Sequence, residues 1–416
     1  MALRRNVAAN YAAQIYMVGI GLVMVPVYLR LMGAEAYGLV AFFSMMQAWF
    51  NVLDIGLSPT LAREAARFRG GATDGLTLRR LVRALEGIFG GVAVIGAVTV
   101  IALADMIADS WLNTDELTPA VVRQVIMVMA GVVALRWTCS LYRAAINGYE
   151  RQVWLGSFNI GITSARFIGV VPALLLLGAS PMVFFSFQLA VALVELGLLA
   201  ARAYRLLPSY DGRIGWSLRP VREVLGFSLT LAFTSTVWVA VTQSDKLVLS
   251  KLLSLSQYGY FSAAALAASG VMLIGGPIAQ AVQPRLAKLA AEKDEAGLIA
   301  LYRRASQAVC VISMSTAVTL AAFSRETLWV WTGNWGMTEY AAPILSLYAL
   351  GNGILSVAAF PYYLQFAKGD LRLHLVGNFI FLVMLVPALV WAATTYGGRG
   401  AGYAWLAANA VDMIVW

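Results

Sequence analysis

Long apolar stretches dominate this chain and leave few folds open to it. Gly87–Ala104 runs without a charge, as does Phe379–Ala393, and Ile160–Leu177 is interrupted only by Arg166. About 18–20 apolar residues carry a helix across hydrocarbon. Lipid offers the backbone no hydrogen-bond partners, so a span is either a helix or part of a closed barrel. Strand-like apolar/polar alternation is missing, which leaves a helical bundle. Of 416 residues, 60% are hydrophobic and only 12% charged, against roughly 25% charged in an average soluble domain. The net charge of +9 is therefore a matter of membrane topology and does not point to nucleic acid.

The predicted fold is all-α and polytopic, with about twelve spans. The first six fall near Asn10–Leu31, Tyr37–Leu57, Leu85–Ala104, Val121–Leu141, Val153–Leu177 and Pro181–Ala203. The second six fall near Val224–Leu252, Tyr258–Ala279, Ser306–Phe323, Ala341–Gln365, Leu373–Thr394 and from Gly400 onward. Alternate loops then hold 22 Lys and Arg on one side and six on the other. By the positive-inside rule the basic side is cytoplasmic and both termini lie there; the inner membrane of a bacterium is the expected location. The last span is short of about 20 residues and is expected to be truncated.

An internal duplication organises these spans. Arg30-Leu-Met-Gly-Ala-Glu-Ala-Tyr37-Gly38 is echoed 221 residues later by Lys251-Leu-Leu-Ser-Leu-Ser-Gln-Tyr258-Gly259. Pro59-Thr-Leu-Ala-Arg63 recurs as Pro284-Arg-Leu-Ala-Lys288, and Val171-Pro-Ala-Leu174 as Val386-Pro-Ala-Leu389. Three echoes in the same order imply homologous halves. With six spans each, the halves enter the membrane the same way, as parallel repeats around a central cavity. Residues 1–203 form the expected N-lobe, 204–222 a cytoplasmic linker and 223–416 the C-lobe. Pro26, Pro172, Pro277, Pro361 and Pro387 mark expected kinks.

Polar residues inside spans are the candidates for function. Ser44, Gln47, Asn51, Asp54 and Ser58 share an arc of about 80° on the second span, and Thr230, Thr234, Trp238, Thr242 and Asp245 one of about 120° on the seventh. Such stripes line a wet cavity or supply interhelical hydrogen bonds. Arg166 lies about 19 Å past the inner boundary. It either pairs with an acid such as Glu195 or faces the cavity as a cation. Arg136, about 9 Å from the inner end of its span, has the alternative of snorkelling. Glu195 and Asp412 are intramembrane acids open to either a proton relay or a structural pair. Asp245 and Lys246 have the option of neutralising each other, and His374 sits at a span start. Cys139 and Cys310 read as small core residues.

Much is excluded. No phosphate-binding G-x-x-x-x-G-K-[ST] loop, no His/Cys metal cluster and no nucleophile elbow occur. The chain is thus read as a non-enzyme without catalytic residues, bound metal or cofactor. Transport in it would be secondary, with H+ or Na+ as coupling ion.

The chain resembles the polysaccharide-biosynthesis (O-antigen and exopolysaccharide) flippases of the multidrug/oligosaccharidyl-lipid/polysaccharide exporter superfamily. The resemblance rests on Leu31-Met-Gly-Ala-Glu-Ala-Tyr-Gly38, Leu53-Asp54-Ile-Gly56-Leu57 and Gln243-Ser-Asp245-Lys246-Leu followed by Tyr258-Gly259. It implies flipping of a polyprenyl-pyrophosphate-linked oligosaccharide by alternating access, with Arg166, Arg136, Arg30 and Lys246 holding the anionic head. Gln47, Asn51, Asp54, Thr234, Thr242 and Asp245 would line the cavity, and Glu195 or Asp412 would couple the ion. Membrane lipids, a polysaccharide polymerase and assembly proteins are implied partners, and a monomer the working unit. The alternatives are a cation-coupled multidrug exporter of the same superfamily, favoured by acidic cavity walls, and a membrane glycan polymerase or ligase, which needs a large external loop.

Overall fold

The computed structural model describes residues 2–210, 215, 217 and 219–415; for 2–12, 219–220, 223–234, 274, 276–277 and 279–280 it describes the backbone alone. Among the described residues there is no β-strand. In chain order the helices are α1 (Ala2–Met32), α2 (Ala34–Phe50), α3 (Leu57–Arg69), α4 (Gly75–Ala102), α5 (Ala104–Met106), α6 (Pro119–Gly148), α7 (Gln152–Phe167) and α8 (Val170–Leu177). They continue with α9 (Pro181–Leu206), α10 (Arg219–Leu252), α11 (Leu255–Ala291), α12 (Glu295–Ala322), α13 (Ser324–Thr332), α14 (Trp335–Ala358), α15 (Phe360–Lys368) and α16 (Arg372–Val415).

Nine segments among the described residues are long and apolar enough to cross a membrane. The last, α16, is divided at Gly397, whose φ of 61° and ψ of −140° are open to glycine alone, so it supplies two crossings. With α10 and α11, at 34 and 37 residues, the twelve predicted spans are accounted for among the described residues. The chain is a multi-pass membrane protein.

Proline breaks two spans where its chemistry demands. Pro172 cannot donate to Ile168 and its ring crowds that carbonyl, and α7 gives way to α8 at Ile168–Gly169. Pro361 likewise opens α15 behind Ala359. Pro26 and Pro387 lie inside α1 and α16 without ending them.

The second span departs from its predicted form. α2 stops at Phe50, a 3-10 turn covers Asn51–Asp54, and Ile55 and Gly56 take left-handed backbone (φ 48° and 68°). The five-residue polar stripe is therefore not one helical face. The Asp54 carboxylate turns to accept from the backbone N–H and hydroxyl of Ser58, both at 3.0 Å, satisfying the start of α3 as an N-cap acid does.

Two compact units divide the chain, Met1–Val239 and Ala240–Trp416. In the first, α6 is the central helix, packed by α2, α3, α4 and α9, while α1 lies along α7. Its Val122, Val125, Ile126, Met129, Val132 and Val133 are fully buried, and Trp137 stacks on Phe89 at 4.5 Å. In the second unit α14 takes that place, packed by α11, α12 and α16. There Tyr348 stacks on Trp405, with ring centroids 6.1 Å apart.

One motif finds its explanation at the start of α2. Glu35 is 2% exposed. Its carboxylate accepts the backbone N–H groups of Asp115, Glu116 and Leu117 at 2.8–2.9 Å. A buried carboxylate is stable when surrounded by donors in this way, and the loop before α6 is thereby tied to the N-terminus of α2.

A buried arginine cluster as the candidate functional site

The break after α7 builds the site. Ending the helix beneath Pro172 frees carbonyls that nothing in hydrocarbon would satisfy. Gln188 of α9 donates its amide to the Arg166 carbonyl at 3.0 Å, and the Tyr28 hydroxyl donates to the Phe167 carbonyl at 2.9 Å. Gln188, itself 4% exposed, turns its amide oxygen to accept from Arg136 on α6. The same guanidinium reaches Gln47 of α2 at 3.4 Å and lies over the Phe43 ring at 5.1 Å.

Below this pair sits Glu195 of α9, its side chain 1% exposed. One carboxylate oxygen takes the Arg143 guanidinium of α6 and the other the Arg166 guanidinium of α7. Arg143 also donates to Asn159 and lies over the Phe158 ring at 5.9 Å. Two guanidiniums therefore share one carboxylate, and a third, Arg136, is joined to the Arg166 carbonyl through Gln188, leaving a cationic excess inside the first unit. The Arg136 and Arg166 Nε groups are buried and have no hydrogen-bond partner among the described residues. The Arg166 side chain nevertheless keeps 18% of its surface accessible, and Arg143 27%.

Of the two sequence alternatives for Arg166, the pairing with Glu195 is the one the contacts show. Arg136 needs a correction: α6 runs on to Gly148, so Arg136 stands 12 residues, about 18 Å, from the helix end and does not snorkel. For the same reason Arg143 belongs to the span and not to the loop. The sequence did carry a signal for it, because residues seven apart, 136 and 143, share a helix face.

The remaining candidates lie apart from these contacts. Arg30 is exposed in the last turn of α1, and Asn51 is exposed in the 3-10 turn. In the second unit, buried Asp245 accepts the Tyr348 hydroxyl at 2.7 Å and the backbone N–H of Lys246 at 2.7 Å. Lys246 Nζ donates to the Thr242 carbonyl at 3.0 Å and is 4.0 Å from the Asp245 carboxylate, a loose pair. Asp412 borders an apolar groove between the two segments of α16. The side chains of Thr230 and Thr234 lie outside the described residues. His374 contacts Asn378 and rests against the Tyr362 ring at 4.6 Å. Among the described residues no three His, Cys, Asp or Glu side chains gather in metal-binding range.

Sequence comparison decides the family. Residues 3–290 match the profile of the family described as polysaccharide biosynthesis protein. The chain belongs to that family. No curated protein sequence matches the chain. Solved structures share its fold at low identity. The structure described as the lipid II flippase MurJ in its inward closed conformation matches with a TM-score of 0.75 at 12% identity, covering 97% of this chain and 86% of that one. An inward-facing multidrug resistance MATE family transporter of the MOP superfamily gives 0.72 at 14%, covering 98% and 92%. A point mutant of the Vibrio cholerae MATE transporter VcmN gives 0.64 at 14%, covering 100% and 94%. The family member thus has the fold of MOP-superfamily transporters.

Proposed function

We propose that the chain is a secondary transporter that flips a polyprenyl-pyrophosphate-linked oligosaccharide from the inner to the outer leaflet of the bacterial cytoplasmic membrane. It works by alternating access between its two halves, with H+ or Na+ as coupling ion, in surface polysaccharide assembly. The observation that carries this reading is the cationic excess of Arg136, Arg143 and Arg166 over Glu195 among the spans of the first unit. Family membership supplies the polysaccharide context.

A pyrophosphate presents oxygens on two adjacent phosphorus atoms, and the planar fork of a guanidinium matches that geometry. In this reading Arg136 and Arg166 hold the pyrophosphate. Gln47 and Gln188 fix the Arg136 fork, and Glu195 with Arg143 fixes that of Arg166. Arg30 and Lys246 attract the head group on its way, and Asn51, Asp54, Thr234, Thr242 and Asp245 line its path. Glu195, held by two guanidiniums, is a poor proton relay, so Asp412 remains the acid for ion coupling. The same neutralisation argues against a multidrug exporter that would need free acids for cationic substrates. Polymerase and assembly proteins would meet the product outside, and one chain suffices for the transport step.

The test is flipping of a fluorescent undecaprenyl-pyrophosphate oligosaccharide in proteoliposomes, with and without an ion gradient. Arg166→Ala and Arg136→Ala are expected to abolish flipping while leaving membrane insertion intact. Unchanged flipping in both variants would overturn the assignment.

A further inference from the structure

Away from the arginine cluster, a polar cavity of about 330 Å³ opens between the basic ends of α4 and α9. Arg79, Val82, Arg83 and Glu86 of α4 line it, spaced as one helical stripe, with Tyr204 and Leu207 from the end of α9. We propose that this cavity binds a phosphate-bearing anion, the headgroup of an anionic membrane phospholipid.

Depth is the first argument. The charge-free run of α4 begins at Gly87, directly after Glu86, and Tyr204 lies two residues from the end of α9. The cavity therefore sits where hydrocarbon gives way to headgroups, whichever leaflet that is. Basic and aromatic residues at this level are suited to lipid phosphates.

The chemistry of the walls is the second. Glu86 accepts the Tyr142 hydroxyl at 3.0 Å and the Tyr204 hydroxyl at 2.8 and 2.9 Å, so phenols occupy its carboxylate. Arg79 donates through Nε to the Pro208 carbonyl at 2.7 Å and lies over the Tyr204 ring at 5.6 Å. These contacts fix its guanidinium without using the forked Nη pair, the part that grips phosphate. Among the described residues of the lining, Arg79 and Arg83 stand beside a carboxylate already engaged by two phenols, and exposed Arg80 and Arg205 lie next to them on the same helices. Val82 and Leu207 supply apolar wall for the glycerol and first acyl carbons. The volume falls at the lower end of ligand pockets, about 300–1,000 Å³, which suits a headgroup and not an oligosaccharide. A phosphate here would tie α4 to α9, which are already linked at the same level by the Tyr204–Glu86 hydrogen bonds.

Native mass spectrometry of the purified chain with phosphatidylglycerol or phosphatidylcholine tests this, with soluble glycerol phosphate as competitor. Wild-type protein is expected to retain one phosphatidylglycerol at least ten-fold more tightly than phosphatidylcholine, and folded Arg79→Ala/Arg83→Ala to lose that preference. Should the double variant fail to fold, exposed Arg83→Glu carries the same expectation. Displacement by soluble glycerol phosphate would support the phosphate site and make its ligand a soluble one. Equal retention of both lipids by the wild type, or an unchanged preference in the variants, would overturn the proposal.

Discussion

The two central helices, α6 in the first unit and α14 in the second, are each packed by several neighbours yet carry different chemistry. α6 brings Arg136 and Arg143 into the first unit, where they meet Gln188, Gln47 and Glu195. α14 brings Tyr348 and Asn352 into the second, where Tyr348 donates to Asp245 at 2.7 Å and Asn352 accepts from the Trp405 indole at 3.0 Å. A carboxylate is buried in each half, but one is answered by cations and the other mostly by neutral donors. The central helix has the same packing role in each unit, while the polar side chains it buries differ.

The sharpest way to break this contrast is to remove each carboxylate. Breaking a buried ion pair from one side is costly because the partner charges stay behind. Glu195→Ala is therefore expected to destabilise by about 3–5 kcal/mol, seen in denaturant or thermal unfolding in detergent. Asp245→Ala leaves a phenol and only a loosely held Lys246, and is expected to lose about 1.5–3 kcal/mol, the range for hydrogen bonds to a charged group. Equal losses would erase the distinction.

The packing seams differ too. A Cβ on Gly351 of α14 would meet the Trp405 ring at 2.6 Å, whereas one on Gly131 of α6 would meet only Leu189, at 3.4 Å. Gly351→Ala is expected to cost about 1–3 kcal/mol by overpacking. Gly131→Ala is expected to be neutral or to gain up to about 1 kcal/mol of helix propensity. Melting curves of the two variants, side by side, report which seam is the tighter; comparable shifts would show that the halves are packed alike.

The smallest effect is at the exposed cap of α4. Hydrogen bonds from the Thr77 backbone N–H and hydroxyl hold the Asp74 carboxyl below the ordinary aspartate range. A lowered value means that its stabilisation is complete above the free aspartate pKa of about 3.9 and disappears as pH falls through the folded value. Asp74→Asn keeps a capping oxygen and is expected to flatten that acid dependence. A melting temperature that falls with acid as steeply as in the wild type would remove the cap from the explanation.

How much of this was legible in the sequence depended on distance along the chain. The spans were legible because apolar runs are local, and the break before Pro172 because a proline acts on the residue four positions earlier. Arg166 with Glu195 was one of two readings left open, since an intramembrane cation needs an answer nearby. Arg143 was missed because the apolar run thins out at Leu141 while α6 continues to Gly148. The left-handed turn at Ile55 was missed because a β-branched residue there runs against its own preference, and surrounding structure must hold it. The partners of Glu35 lie 80 residues away in a loop with no periodic signal.

The pairing of Arg166 with Glu195 has a consequence for how the protein is made. The fourth span delivers Arg143 to the membrane and the fifth Arg166, before the acid that pairs with both has been synthesised. A lone arginine at mid-bilayer costs about 2.5–3.5 kcal/mol, and only the sixth span brings the carboxylate. The sixth span is therefore expected to help hold the fourth and fifth in the membrane once it arrives. A defect at Glu195 would surface first as a failure of biogenesis, before any transport cycle could begin.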